Sequence, residues 1–262
     1  MYLQQLRLLF ICTSFVFVSC VAVGSEIDNA SAVKPDFEPS DGLKRAADAY
    51  DKRANLDEAR KSVEILAKTR NPNNRNFEVE WRFAQYSYYL GSQHSVSDEE
   101  SESILQKALG AAQIASRVHP EKPDGHFWYG AILGEQSRRS PVTVGIPSIK
   151  KIRLAMKKVI AIEPGYHSAS SYDALGQVEL ESRGLAGGDP KKALEHFKKA
   201  IELKTQNPFV HLNIGKAYLA LNQDSEAKKH LRQLISLSPT PEFEPELEEA
   251  KARAKKILAK KF

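Results

Sequence analysis

The sequence predicts an all-α solenoid of about five helical hairpins closed by a carboxy-terminal capping helix, and three observations predict it. A frame of small and apolar residues, sharpest at Ile214, Gly215, Tyr218, Ala227, Leu231 and Pro239, describes two short packed helices and recurs in looser form upstream. Helix formers abound, and no stretch alternates β-branched residues between turn residues as strands do. The segment boundaries carry the chemistry of helix starts. Hairpins of this kind cannot bury their apolar faces alone, so they stack, and the stack exposes a concave surface that binds rather than catalyses.

The first hairpin occupies Ser40 to Pro72, with Ala47 and Tyr50 on one helix and Ala59, Val63 and Leu66 on the other. Asn55 is placed to cap the second helix while Glu58 reaches back to it. The second unit runs from Phe77 through Trp81, Ala84 and Tyr88 to a break at Gly91–Ser95, and restarts at the capping-box run Ser97-Asp98-Glu99-Glu100. The third opens at Asp124, loops through Ser140 to Pro147 and resumes as a helix from Ser148 to Glu163. The fourth opens near Ser168, bends at Gly187-Gly188 and restarts with Asp189 as cap and Pro190 in the first turn. The fifth fills Pro208 to Pro239, and Thr240-Pro241 starts a terminal helix to about Lys260 that is charged on its outer face, as the last interface of a stack requires.

At 42% apolar and 27% charged residues the chain has ample material for a core. The net charge of +5 is spread along the helices, and the basic end from Lys251 to Lys261 has acidic neighbours and only Phe262 as a nearby aromatic, which argues against nucleic acid as a partner. Arg7 precedes an apolar run from Leu8 to Val23, short for a membrane span and of the length of a secretory core. Residues 1–24 thus read as a signal peptide cut after Ala22-Val23-Gly24, as a lipoprotein signal with Cys20 as the lipid-bearing residue, or as a retained anchor. The expected location is exported, periplasmic or lipid-anchored in the cell envelope, with residues 25–39 as a flexible tether and membrane contact only through the amino-terminal segment. Cys12 and Cys20 are the chain's two cysteines, so the folded domain, 40–262, has neither disulfides nor thiolate chemistry.

On the frame just described the chain resembles tetratricopeptide repeats, whose unit is about 34 residues. From Gly130 to Ile152 the separation is longer than a regular repeat allows. The run His126-Phe127-Trp128-Tyr129-Gly130, the Pro-rich insertion, the segment Ile162 to His167 and the turn Leu185 to Ala193 together resemble the T-component family of tripartite (TRAP-type) transporters. The same arrangement of long hairpins is similar to the regulators of microtubule dynamics of animals. The transporter resemblance implies an envelope lipoprotein that partners a periplasmic substrate-binding subunit.

If the repeat register holds, helical spacing places Arg82, Tyr86, Tyr89, Phe127, Ala131, Glu135, Asp173, Gln177, Phe209, Leu212 and Lys216 along the concave groove. That surface suits a protein partner, an extended peptide or an apolar ligand. Phe127, Ala131, Asp173 and Gln177 occupy the places where some tetratricopeptide domains hold a peptide carboxylate with Lys and Asn, which disfavours that use. Among the seven histidines none pairs with another at a spacing of three or four, and no H-E-x-x-H run, phosphate loop or nucleophile elbow is present. The expectation is a non-catalytic binding or assembly module without cofactor or metal, serving either as a transporter accessory subunit, as a general envelope scaffold, or as a membrane-anchored cytoskeletal regulator.

Overall fold

A computed structural model of the protein describes residues 35–184, 186–240 and 243–262. The expected signal segment, its lipidation site Cys20 and the tether up to residue 34 lie outside these residues, as do Leu185, Pro241 and Glu242. Eleven α-helices and one π turn, with no strand, make up the described residues: α1 (Pro39–Tyr50), α2 (Leu56–Thr69), α3 (Phe77–Ser92), α4 (Asp98–Val118), α5 (Pro123–Arg139), α6 (Ile146–Ile162), α7 (Tyr166–Glu181), α8 (Pro190–Glu202), α9 (Phe209–Ala220), α10 (Asp224–Ser236) and α11 (Glu244–Lys261).

Local chemistry explains most of the boundaries. The Asn55 Oδ1 accepts a hydrogen bond from the Asp57 N–H at 2.9 Å, Ser97 Oγ one from Glu100 N–H at 3.2 Å, and Asp189 Oδ1 one from Lys191 N–H at 2.8 Å. Each satisfies a backbone donor that the first helical turn leaves without a partner. Glu58 does not close a capping box; its carboxylate faces Lys61 Nζ at 3.4 Å instead. The Pro-rich insertion is not a loop. Pro141 has no N–H with which to continue α5, and the chain takes a single π turn (Pro141–Gly145) before α6 begins at Ile146, two residues earlier than Ser148. The extra length of the second and third units is therefore spent on helix: α4, α5 and α6 have 21, 17 and 17 residues, against 12 and 13 in α9 and α10.

Sequential helices pack as the hairpins α1/α2, α3/α4, α5/α6, α7/α8 and α9/α10. Their apolar faces merge into neighbouring clusters. One joins Leu66, Phe83, Leu105, Ile132, Met156 and Leu175; the next joins Ala169, Phe197, Val210 and Ile214; the last joins Leu212, Leu231 and Leu234 to Leu247, Ala250 and Ala254 of α11. The small buried stripe Ala108, Ala111, Ala112 and Ala115 lets α5 approach α4 closely, and at Gly125 an added Cβ would collide with the Ser116 backbone nitrogen. Between the first two hairpins the buried Glu80 carboxylate is held by Arg70 at 2.7 Å and Arg75 at 2.9 Å, so the ion is both paired and hydrogen-bonded, as burial demands.

Candidate partner-binding groove

The first helix of each hairpin carries the residues that spacing assigns to the groove. Six of the eleven are buried: Tyr86, Tyr89, Phe127, Glu135, Asp173 and Leu212. Arg82, Ala131, Phe209 and Lys216 are half-buried, and Gln177 is exposed. The buried aromatics have well-defined partners. The Tyr86 ring stacks on Tyr50 with centroids 3.8 Å apart, and Tyr89 meets Tyr50 edge-on at 5.8 Å. Phe127 lies among Trp128, Tyr166 and His167, with centroids 4.9, 5.4 and 5.0 Å away. Burial pushes the Tyr50 and Tyr86 hydroxyls up, so both remain neutral donors at any physiological pH.

Polar groups on neighbouring first helices form two linked sets. On α7, Asp173 accepts hydrogen bonds from Gln177 Nε2 at 2.7 Å and, across to α9, from Asn213 Nδ2 at 2.9 Å. Burial raises its pKa to about 6, against the two amide donors and the positive charge of Lys216, which favour the ionised form. Burial in turn lowers the pKa of Lys216, as does the nearby Arg253. On α5, Glu135 receives Arg138 and Arg139, and Arg139 continues to Asp98 at 2.9 Å and to the Gly91 carbonyl at 2.8 Å, tying the end of α5 to the α3–α4 turn. Arg82 donates to Glu78 at 2.9 Å on its own helix.

The structure adds residues that the groove spacing did not name. These are Tyr50, Arg53, His167, Asn213, Phe243 and Glu246, and what unites several of them is α11. This helix packs its body on α9 and α10, as a cap does, yet side chains at its leading end meet residues of earlier hairpins. Glu246 pairs with Arg53 of the α1–α2 turn at 3.5 Å, a contact between residues 193 positions apart, with the two side chains only 24% and 8% exposed. The Phe243 ring meets His167 edge-on at 5.6 Å, and the Arg253 guanidinium lies 5.6 Å from the Phe209 ring. Burial raises the pKa of Glu246 while Arg53 opposes that shift. Asn213 sits one position from the named groove place Leu212, so a wider window on the same helical face would have found it, whereas Tyr50 lies on α1, where the spacing named no place. Nothing local in the sequence announces Glu246 or Phe243 as groove residues.

His167 sits at the start of α7 in a run of three left-handed residues, with φ of 46° at His167, 55° at Ser168 and 57° at Ala169. Such backbone costs roughly 1–2 kcal/mol per non-glycine residue. Hydrogen bonds hold it: Thr205 Oγ1 donates to the Ser168 carbonyl at 2.6 Å, and Asn207 Nδ2 donates to Ser170 Oγ at 3.0 Å. Burial lowers the His167 pKa to about 4, so the ring that meets Phe127 and Phe243 is neutral. A second histidine contact joins His211 Nδ1 and His230 Nδ1 at 3.4 Å across α9/α10, a pairing over 19 positions that no short spacing reveals. Among the described residues no three of His, Cys, Asp and Glu gather closely enough to hold a metal ion.

Comparison with known proteins accords with this architecture. Residues 185–254 match a tetratricopeptide repeat family. A thermophilic TPR protein of Thermus thermophilus superposes with a TM-score of 0.61 at 16% identity, covering 82% of this chain and 98% of that one, a likeness of fold. Two MamA structures align with TM-scores of 0.47 and 0.46 at 17% identity, covering 82% and 77% of this chain and 96% and 95% of theirs. A search of curated protein sequences gave no match. Residues 43–177, just over half of the chain, match the family described as regulator of microtubule dynamics protein 1-3, and the chain belongs to that family.

Proposed function

We propose that this chain is a non-catalytic scaffold that binds a protein partner on the concave face of its helical stack. The single observation that carries the reading is the seating of α11 there. Acid to arginine at Glu246 and Arg53, and ring to ring at Phe243 and His167, are the contacts of an inner face that receives an amphipathic helix. A partner helix carrying an acidic residue near an aromatic one meets the same Arg53 and His167 when it replaces or extends the leading turn of α11. The repeat family matched over 185–254 supports protein binding in general.

In this reading the protein acts after export, free or lipid-anchored in the envelope, with the apolar run Leu8–Val23 as the supporting feature. Its narrower form, an accessory subunit that meets a transporter's periplasmic substrate-binding subunit, is supported by the motifs around Trp128 and Gly187. A second reading is favoured by the family match: a membrane-anchored regulator of the cytoskeleton, in which the amino-terminal run is retained. Mass spectrometry of the native amino terminus separates them, since a terminus at Cys20 or Ser25 excludes the cytoskeletal reading.

The groove itself is tested by substituting the accessible places. Arg82→Glu, Gln177→Lys and Lys216→Glu are combined in the full chain, leaving the buried Tyr86 and Phe127 in place so that the fold survives. The triple variant is expected to lose at least tenfold in recovery of whatever protein co-purifies with the wild type from its native source. Equal recovery with an unchanged circular dichroism spectrum would remove the concave face from the proposal.

A further inference from the structure

α6 differs from every other helix in what it leaves bare. It packs only on α5, the π turn and α7, and its outer side faces away from the stack. Along that side Ile146 and Leu154 are exposed, 42% and 60% respectively, with Val142 of the π turn 68% exposed just ahead of them. Apolar side chains left uncovered in a row are unusual on a soluble surface and mark a contact. Two lysine pairs border Leu154, Lys150/Lys151 and Lys157/Lys158, one heptad apart. At 100° per residue Lys150 and Lys157 fall on one flank of Leu154 and Lys151 and Lys158 on the other. All four are exposed, and none forms an ion pair with a described residue. The helix contains no Asp or Glu at all; its single arginine, Arg153, is already committed to Glu179 at 2.7 Å.

From this face we propose that α6 is a membrane-docking element that lies along an anionic bilayer surface, placing Ile146 and Leu154 at the headgroup boundary and the four lysines over lipid phosphates. Charge complementarity selects the occupant. Four exposed lysines on a helix that carries no acid of its own attract an anionic surface, each nearby lysine contributing to binding. The flanking lysines have stems long enough to let the apolar row sink while the ammonium groups stay with the headgroups. Lysine also supplies undirected point charge rather than the forked donors with which arginine reads a fixed carboxylate, which suits a fluid array of phosphates better than one protein site. Among the described residues no helix is long and apolar enough to cross a membrane, so the contact is peripheral.

The experiment is flotation of the full-length protein with vesicles of phosphatidylcholine alone and with about a third phosphatidylserine, at low and high salt. Every variant retains the same amino-terminal segment, so its contribution is common to all and cancels in the comparison. Wild type is expected to bind the anionic vesicles at least tenfold more tightly than the neutral ones, with the difference shrinking as salt rises. Lys150, Lys151, Lys157 and Lys158 changed together to Gln are expected to lower anionic binding by on the order of a hundredfold. Leu154→Ser is expected to weaken binding severalfold while leaving the salt dependence as it was. Because all five positions are exposed, circular dichroism should be unchanged in both variants. Equal binding to both vesicle types, or anionic binding untouched by the lysine changes, overturns the proposal. Retention by immobilised polyglutamate with no vesicle binding overturns it as well, in favour of an acidic protein surface.

Discussion

At Asp173, amide donors from two neighbouring hairpins converge on a carboxylate that the stack has removed from water. Its folded pKa of about 6 stands above the roughly 3.9 of an unfolded chain, so the fold favours the protonated form. The stability this contributes is fully present below about pH 4 and is lost as pH rises through 6. His167 acts in the opposite sense: its pKa of about 4 lies below the ordinary 6.5 or so, and its contribution is present above that value and lost as pH falls toward 4. The two partly cancel in the wild type, so the informative quantity is the difference from Asp173→Asn. Urea unfolding at pH 4 and pH 7 should show the variant improving against wild type by on the order of 2–3 kcal/mol at the higher pH. A difference that is flat across this range would mean that Asp173 is ionised at little expense in the folded protein.

Among the elements, α4 shows how closely the second and third hairpins are fitted. Gly125 at the start of α5 leaves no room for a methyl group, because the atoms it would meet are the backbone of Ser116 and Ala115 rather than a movable side chain. Gly110, on α4 itself, has nothing within 4 Å of the same position. The two glycines therefore predict opposite outcomes. Gly125→Ala should destabilise by about 1–3 kcal/mol through overpacking, whereas Gly110→Ala should stabilise by about 0.5–1 kcal/mol because alanine is the better helix former and restricts the unfolded chain. Thermal or urea unfolding of the two variants checks both signs. The α4/α5 contact is at fault if Gly125→Ala proves neutral.

For the whole molecule the distinctive feature is that its last helix touches its first hairpin. Arg53 and Glu246 form that link with little exposure, and Arg53 also lies 4.7 Å from the Tyr50 ring and 5.4 Å from that of Tyr89. Arg53→Ala should free the leading turns of α11 without unmaking the cap, since Leu247, Ala250 and Ala254 remain seated on Leu212, Leu231 and Leu234. Hydrogen exchange is the measurement: amides from 244 to 248 are expected to exchange at least tenfold faster in the variant, and those of α10 at the wild-type rate. Unaltered exchange at 244–248 would show that the inner face holds α11 by other contacts. The same variant bears on partner binding, because a freed α11 leaves Tyr50, Tyr89 and His167 open to a competing helix.

How much of this was legible from residues alone follows from the range of each interaction. Hairpin count, many helix boundaries and the caps at Asn55, Ser97 and Asp189 depend on neighbours within a few positions, and the sequence determines them by periodicity and by the need to satisfy free N–H groups, whereas α6 and α11 start at Ile146 and Glu244 rather than at Ser148 and Thr240. The excess length around Pro141 was also legible, though its form was not, because whether the chain loops or takes a π turn depends on packing at both of its ends. Register assigned residues to a helical face, but exposure did not follow from it: Tyr86 and Phe127 are buried by Tyr50 and by the Tyr166–His167 segment. The seating of α11 against Arg53, and the meeting of Asp173 with Asn213, belong to the tertiary structure alone. They join residues 193 and 40 positions apart whose approach is set by how the hairpins stack, and no local pattern encodes that angle.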